Sequence, residues 1–242
     1  MKQLTILLLT LFLLSCSNDD ENSAVSNLLS EYIENQITET GAIIACASSN
    51  EDNTAILTFF YPKTNAINIR FYESETTEIE KLDYSKYSFK AISSEPFFNG
   101  YLRKFTTAEL SEHWIIVTYE LNNEIKISNP IRTKQISKPS VWNDAVTVNQ
   151  TNALMPVFNW EANAVGDNAI YFQVLSKENN DFISGTYTYE NNFKFYNTSN
   201  VILNITEGFP QLENNTNYNF TLMDVSIDNW VNLVSQVVFN TQ

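Results

Sequence analysis

The chain has 242 residues, with 28 acidic against 14 basic side chains, a formal charge of −14 and 43% hydrophobic residues. That balance disfavours nucleic acid and anionic membrane surfaces as partners, because both are held through basic patches. A single histidine excludes multi-histidine metal centres, and no phosphate-cradling glycine loop or dinucleotide fingerprint occurs.

The first residues, MKQLTILLLTLFLLSC, place Lys2 before an almost wholly apolar run that ends in small Ser15. Residues 1–15 read as a signal peptide, too short to span a bilayer stably. Leu13-Leu14-Ser15-Cys16 resembles the lipobox of bacterial lipoproteins. The resemblance implies that Cys16 is diacylated through sulfur and acylated again on its new amino group. Two or more acyl chains, at about 0.8 kcal/mol per buried methylene, make departure from a membrane slow. Residues 17–23, SNDDENS, are a solvated tether. Asp19, Asp20 and Glu21 resemble the acidic export signal of Bacteroidota lipoproteins, with Asn18 a departure from it. That likeness implies an outer-membrane protein facing the cell exterior, joined to the membrane through its N-terminal lipid.

Residues 16–40 are expected to form the lipidated tether and one short helix. Val25, Leu28, Leu29, Tyr32, Ile33 and Ile37 recur at helical spacing over 24–37, with Ser23 as cap. From Gly41 the pattern changes to short β-branched and aromatic runs split by Asn, Asp, Gly and Pro, the mark of antiparallel strands. A first β-sandwich over 41–135 is predicted from strands near 42–48, 54–61, 66–73, 86–92, 101–105, 113–121 and 124–131. Lys138-Pro139 marks a linker near 134–142. A second sandwich over 136–242 follows, with strands near 145–150, 155–161, 169–176, 182–190, 193–197, 200–206, 216–226 and 230–240. Cys46, in the run AIIACAS, has no partner once Cys16 carries lipid, and reads as a buried small hydrophobe. The fold class is therefore all-β: two tandem antiparallel β-sandwiches after a signal peptide and a short helix.

The second half resembles fibronectin type III modules and their immunoglobulin-like relatives. Pro156-Val157-Phe158-Asn159-Trp160 looks like the second strand with its core tryptophan, and Ala169 to Val174 like the third. Leu212, Thr216, Tyr218, Phe220 and Leu222 carry spacing similar to the tyrosine corner, which implies that the Tyr218 hydroxyl ties its strand to the preceding loop. In the first half, Ile56 to Pro62 and Ala66 to Glu73 match more loosely and lack such a corner. These motifs specify fold and leave function open.

Catalytic chemistry has little to build on. His113 precedes the apolar run Trp114-Ile115-Ile116-Val117 and reads as a strand entry. Glu73, Glu75, Glu78 and Glu80 fall in one polar stretch, where solvated carboxylates would stay ionised, the wrong state for a glycosidase acid. Asp224 and Asp228 read as turn residues. Glu95 to Tyr101 puts three aromatics beside a turn, to plug the core between sheets. The segment from Gly185 to Tyr196 reads as a hairpin turning at Asn191-Asn192. That register sets Tyr187, Tyr189, Lys194 and Tyr196 on one face, an aromatic platform for a sugar ring or partner peptide, or else a cover for the sheet edge or domain junction. The expectation is a non-enzymatic surface protein without cofactor or metal, acting as a binding or accessory module for extracellular glycan or protein. The alternative is a structural spacer or assembly subunit of an envelope complex.

Overall fold

The computed structural model describes residues 27–108, 111–152 and 154–241. The signal peptide, Cys16, Asp19, Asp20 and Glu21 lie outside the described residues. The helix expected over 24–37 is, among those residues, a single turn, α1 (Leu29–Tyr32). Leu29, its first residue, is buried, and the chain turns at Asn35 (φ 58°) before running extended from Thr38.

Four sheets follow. The first has the order β1 (Thr38–Ile43), β9 (Glu124–Ser128), β8 (Trp114–Leu121), β4 (Ile67–Ser74) and β5 (Tyr87–Lys90), with β10 (Ile131–Arg132) also paired to β8. The second runs β2 (Ala45–Ser49), β3 (Ile56–Phe60), β7 (Leu102–Thr107) and β6 (Glu95–Phe97). The third runs β11 (Val141–Asn143), β19 (Val231–Asn240), β18 (Asn217–Val225), β14 (Ile170–Lys177), β15 (Phe182–Thr188) and β17 (Val201–Asn204). The fourth is β12 (Thr147–Asn149), β13 (Val157–Asn159) and β16 (Asn192–Lys194). Pairing is antiparallel except where β1 lies beside β9 and β11 beside β19. The run expected as one strand over 42–48 is divided, because the chain leaves the first sheet after Ile43 and enters the second at Ala45.

The fold is two tandem antiparallel β-sandwiches. In the second, β12, β13 and β16 face the set β15-β14-β18-β19, the division of strands that immunoglobulin-like sandwiches make. The tyrosine corner is formed: the Glu213 N–H donates to the Tyr218 hydroxyl at 2.9 Å, and Tyr218 is 1% exposed. Tyr218→Phe leaves that amide without its acceptor. It should cost about 1–2 kcal/mol, read as a lower urea midpoint at unchanged slope.

Side-chain alternation turns the two sandwiches into a stack. From β3, Ile56 and Phe60 face inward to pack with Phe71, Phe105, Ile115 and Val117 of the first sandwich. Their neighbours Leu57 and Phe59 point the other way, onto Phe172, Val174, Met223 and Val234 of the third sheet. The second and third sheets therefore bury apolar residues on both faces, like strands in the middle of a layered protein. Phe98, expected between the sheets of one sandwich, lies instead in this junction. Beyond it, Phe158, Trp160, Tyr171, Phe193, Phe220 and Leu222 fill the second sandwich.

The segment 134–142, expected as a linker, is bound on both sides. Lys134 pairs with Asp167 at 3.1 Å and Asp228 at 3.0 Å. Ser140 and Ser49 exchange N–H to Oγ bonds of 3.0 and 2.8 Å, and the Trp142 indole donates to the Ser49 carbonyl at 3.0 Å. The turn between β18 and β19 reaches into the first sandwich. Trp230, at the start of that return, is 0% exposed and packs with Ile43, Ala47, Ile56 and Phe60. Its indole donates to the Lys138 carbonyl at 2.9 Å, while Ala47 N–H donates to the Asn229 carbonyl at 3.1 Å.

Candidate functional site

The tyrosine platform is not assembled. Strand β15, carrying Tyr187, pairs with β14 and β17 in the third sheet, whereas β16 pairs with β13 in the fourth. The hairpin fails because Asn191 is held by sheet four: its carbonyl accepts from Trp160 N–H at 3.2 Å, and its side-chain amide donates to the Trp160 carbonyl at 2.8 Å. The chain therefore crosses between sheets where a turn was expected. Tyr187 stacks on Phe172 at 4.4 Å and 17° in the junction, Tyr189 is 63% exposed, and Tyr196 is buried against Phe193, Phe195 and Phe209. Three tyrosines assigned to one face lie in three environments.

Cys46 also belongs to the junction, lining a small gap with Phe59, Phe172 and Tyr187. It is a free thiol, and burial pushes it up to about 12, while the Tyr187 phenol is raised well above its usual value, mainly by burial. Alkylation proceeds through the thiolate. Iodoacetamide at pH 8 should therefore leave Cys46 unmodified in the folded protein and modify it fully in denaturant, as read by peptide mass spectrometry.

The candidate catalytic groups are structural in their settings. His113 is 1% exposed; its Nδ1 lies 2.8 Å from the Ser111 carbonyl and its Nε2 3.6 Å from Glu73 Oε2. Glu73 is not in the solvated loop where it was expected, since it sits on β4 and pairs with Lys90 at 2.6 Å. No group of three or more His, Cys, Asp or Glu residues placed to hold a metal ion occurs among the described residues.

A pocket of about 170 Å³ opens at one end of the second sandwich. Its floor and walls are Val146, Trp160, Tyr171, Leu222 and Leu233, and its exposed rim includes Asn143, Ala145, Glu161 and Ala164. Asp224 and Ser235 are the buried polar residues of the lining. Strand β18 places Tyr218, Phe220, Leu222 and Asp224 on one face by simple alternation, so the carboxylate occupies a core-facing position. Register sets Tyr171 and Leu233 beside it on the flanking strands.

Asp224, read from sequence as a turn residue, is thus a strand residue only 2% exposed. Its Oδ1 accepts from the Asn168 amide at 2.9 Å and the Asn232 amide at 3.4 Å. Burial raises this carboxyl above the usual range, while the two amides and Lys138 pull it down and Asp167 pushes it up. Tyr171 accepts from Asn163 N–H at 2.7 Å and meets Trp160 edge-on, ring centres 5.3 Å apart. A charged residue on the apolar side of an otherwise alternating strand was the signal for this pocket; proximity to the chain reversal at Ser226 to Trp230 concealed it.

No protein-family model matches the chain, and no curated protein does. Solved structures are matched at low similarity. The chicken CNTN1 FN1–FN3 domains are 8% identical, with 85% of this chain and 69% of that one covered and a TM-score of 0.31. The chicken interferon gamma receptor alpha chain is 10% identical (82% and 96% covered, TM-score 0.25). A two-domain fibronectin type III segment of chicken tenascin is 12% identical (82% and 98%, 0.25). The strand order and the tyrosine corner define the fold without help from these scores.

Proposed function

We propose that this protein is a non-enzymatic, lipid-anchored surface module that holds a rigid pair of β-sandwiches outside the cell to bind extracellular glycan or protein. The observation that carries the reading is Leu13-Leu14-Ser15-Cys16 followed at once by the acidic run 19–21, an anchor and export signature ahead of an all-β body. Support for a rigid module comes from the junction: shared apolar layers and the inserted Trp230 make the two sandwiches one body, so a site on the second is held in a fixed place relative to the first. The test is Cys16→Ala combined with protease shaving of intact cells. The native protein should fractionate with membranes and be cleaved on whole cells, and the variant should leave the membrane fraction. A variant that still pellets with membranes removes the anchor, and protection from protease in intact cells removes outward display.

One observation favours the second reading, an assembly subunit. Strand β17 is an edge of the third sheet, and Ile202 and Leu203 on it are 55% and 42% exposed, with Phe209 beyond it at 71%. An exposed apolar edge strand is a template for pairing with another chain. Cross-linking through a photoreactive residue at 202 on intact cells separates the readings, since a subunit captures one fixed protein.

A further inference from the structure

We infer that the pocket beneath Trp160 binds a small organic cation, an ammonium group on a short aliphatic stem, with its charge against Asp224 and its stem against Val146, Leu222 and Leu233. This inference is independent of the lipid anchor.

The lining selects charge and shape together. Asp224 is almost fully buried, yet it belongs to none of the ion pairs among the described residues. Two neutral amides both reach Oδ1. Lys138 acts on this carboxylate without contacting it, so the amides and the lysine offset its desolvation cost only in part, and a cation arriving in the pocket adds the direct contact that is missing. Nearby lysines are otherwise engaged: Lys134 with Asp167 and Asp228, and Lys138 with the Gly166 carbonyl at 2.7 Å and Asp167 at 3.9 Å. Ser235 Oγ is buried without a hydrogen-bond partner and lines the same pocket, an acceptor suited to an ammonium N–H.

The buried indole N–H of Trp160 has no acceptor and offers an ammonium nothing, so the rest of the cation argument lies with the rings and the charges. Trp160 and Tyr171 bring electron-rich rings to the wall, and cations are attracted to such rings. Glu161 at the rim adds a second negative charge, and the chain as a whole carries −14, which concentrates cations at its surface. Anions meet two carboxylates and no lysine or arginine in the lining. A neutral alcohol gains the apolar contacts but leaves Asp224 without a directly paired cation. The volume of about 170 Å³ accommodates a small molecule or the end of one side chain.

The probes are n-butylammonium chloride and its neutral counterpart 1-butanol, titrated into the full chain in detergent and followed by calorimetry and backbone amide NMR. Butylammonium should bind saturably, shift amides around Asn168, Asp224 and Ser235, and bind at least about tenfold tighter than butanol, a difference of about 1.4 kcal/mol. Asp224→Asn keeps an acceptor oxygen for the two amides while removing the charge, and should weaken butylammonium at least about tenfold without changing butanol. Ala164→Trp, at an exposed rim position, should block both probes and leave the melting temperature unchanged, which covers the case of an unstable Asp224 variant. A short blocked peptide containing lysine identifies the source: tighter binding than butylammonium assigns the site to a lysine side chain of a partner, and no binding assigns it to free amines. Equal affinity for butanol and butylammonium, or butylammonium binding that survives both substitutions, overturns the inference.

Discussion

Trp230→Ala should lower the melting temperature of the whole protein by roughly 10 °C or more, and the loss should fall on both sandwiches although the residue belongs to the second. The indole is 0% exposed and fills the first sandwich's core beside Ile43, Ala47, Ile56 and Phe60. Truncating a fully buried aromatic costs about 3–5 kcal/mol, through lost transfer energy and the cavity left behind. The hydrogen bond from its Nε1 to the Lys138 carbonyl is lost as well, leaving that carbonyl short of a donor. For a chain of this length each kcal/mol corresponds to roughly 2–4 °C. Differential scanning calorimetry of the native protein should give one transition, because the apolar layer between the second and third sheets ties their unfolding together. In the variant the calorimetric enthalpy should exceed the van't Hoff value as the sandwiches begin to melt separately. A midpoint within about 2 °C of the native one would show that the shared layer alone couples the halves and that the inserted indole does not.

Strand β18 was legible because its residues alternate regularly up to Leu222. Asn217 to Val225 sends Tyr218, Phe220 and Leu222 one way and Asn219, Thr221 and Met223 the other, and the corner at Tyr218 lands where its spacing implied. The stacking of the sandwiches was harder to see. Its signal was the run Ile56-Leu57-Thr58-Phe59-Phe60, apolar on both faces, which one sequence cannot distinguish from a strand with a greasy outer side. Local turn chemistry misled at Asn191-Asn192. Two asparagines favour a tight hairpin, but the hydrogen bonds that decide the path come from Trp160, some thirty residues away in sequence and adjacent only after folding. Asp224 was misread for a related reason, since its closeness to a chain reversal outweighed the parity that placed it in the core row.

The corrected placement of the tyrosines yields the second large effect, a contrast within one short segment. Tyr187→Ala should destabilise the protein by about 3 kcal/mol, in the range for truncating a well-packed aromatic. Its ring stacks on Phe172, stands opposite Leu203 on the neighbouring strand and closes the junction over Cys46, so truncation opens a gap between the sandwiches. Tyr189→Ala, two residues on, should change stability by no more than about 0.5 kcal/mol, because the side chain is 63% exposed past the end of β15. Urea unfolding at fixed slope measures both. The same pair separates the role of each tyrosine in recognition: any loss of binding in the Tyr187 variant should follow its loss of folded protein and be restored at lower temperature, whereas a loss in the Tyr189 variant would occur in fully folded material. Cys46 supplies an internal reporter for this distinction. In the Tyr187 variant its thiol should become reactive to iodoacetamide at pH 8 under native conditions, and in the Tyr189 variant it should stay protected; protection in both would mean that the junction closes over the missing ring.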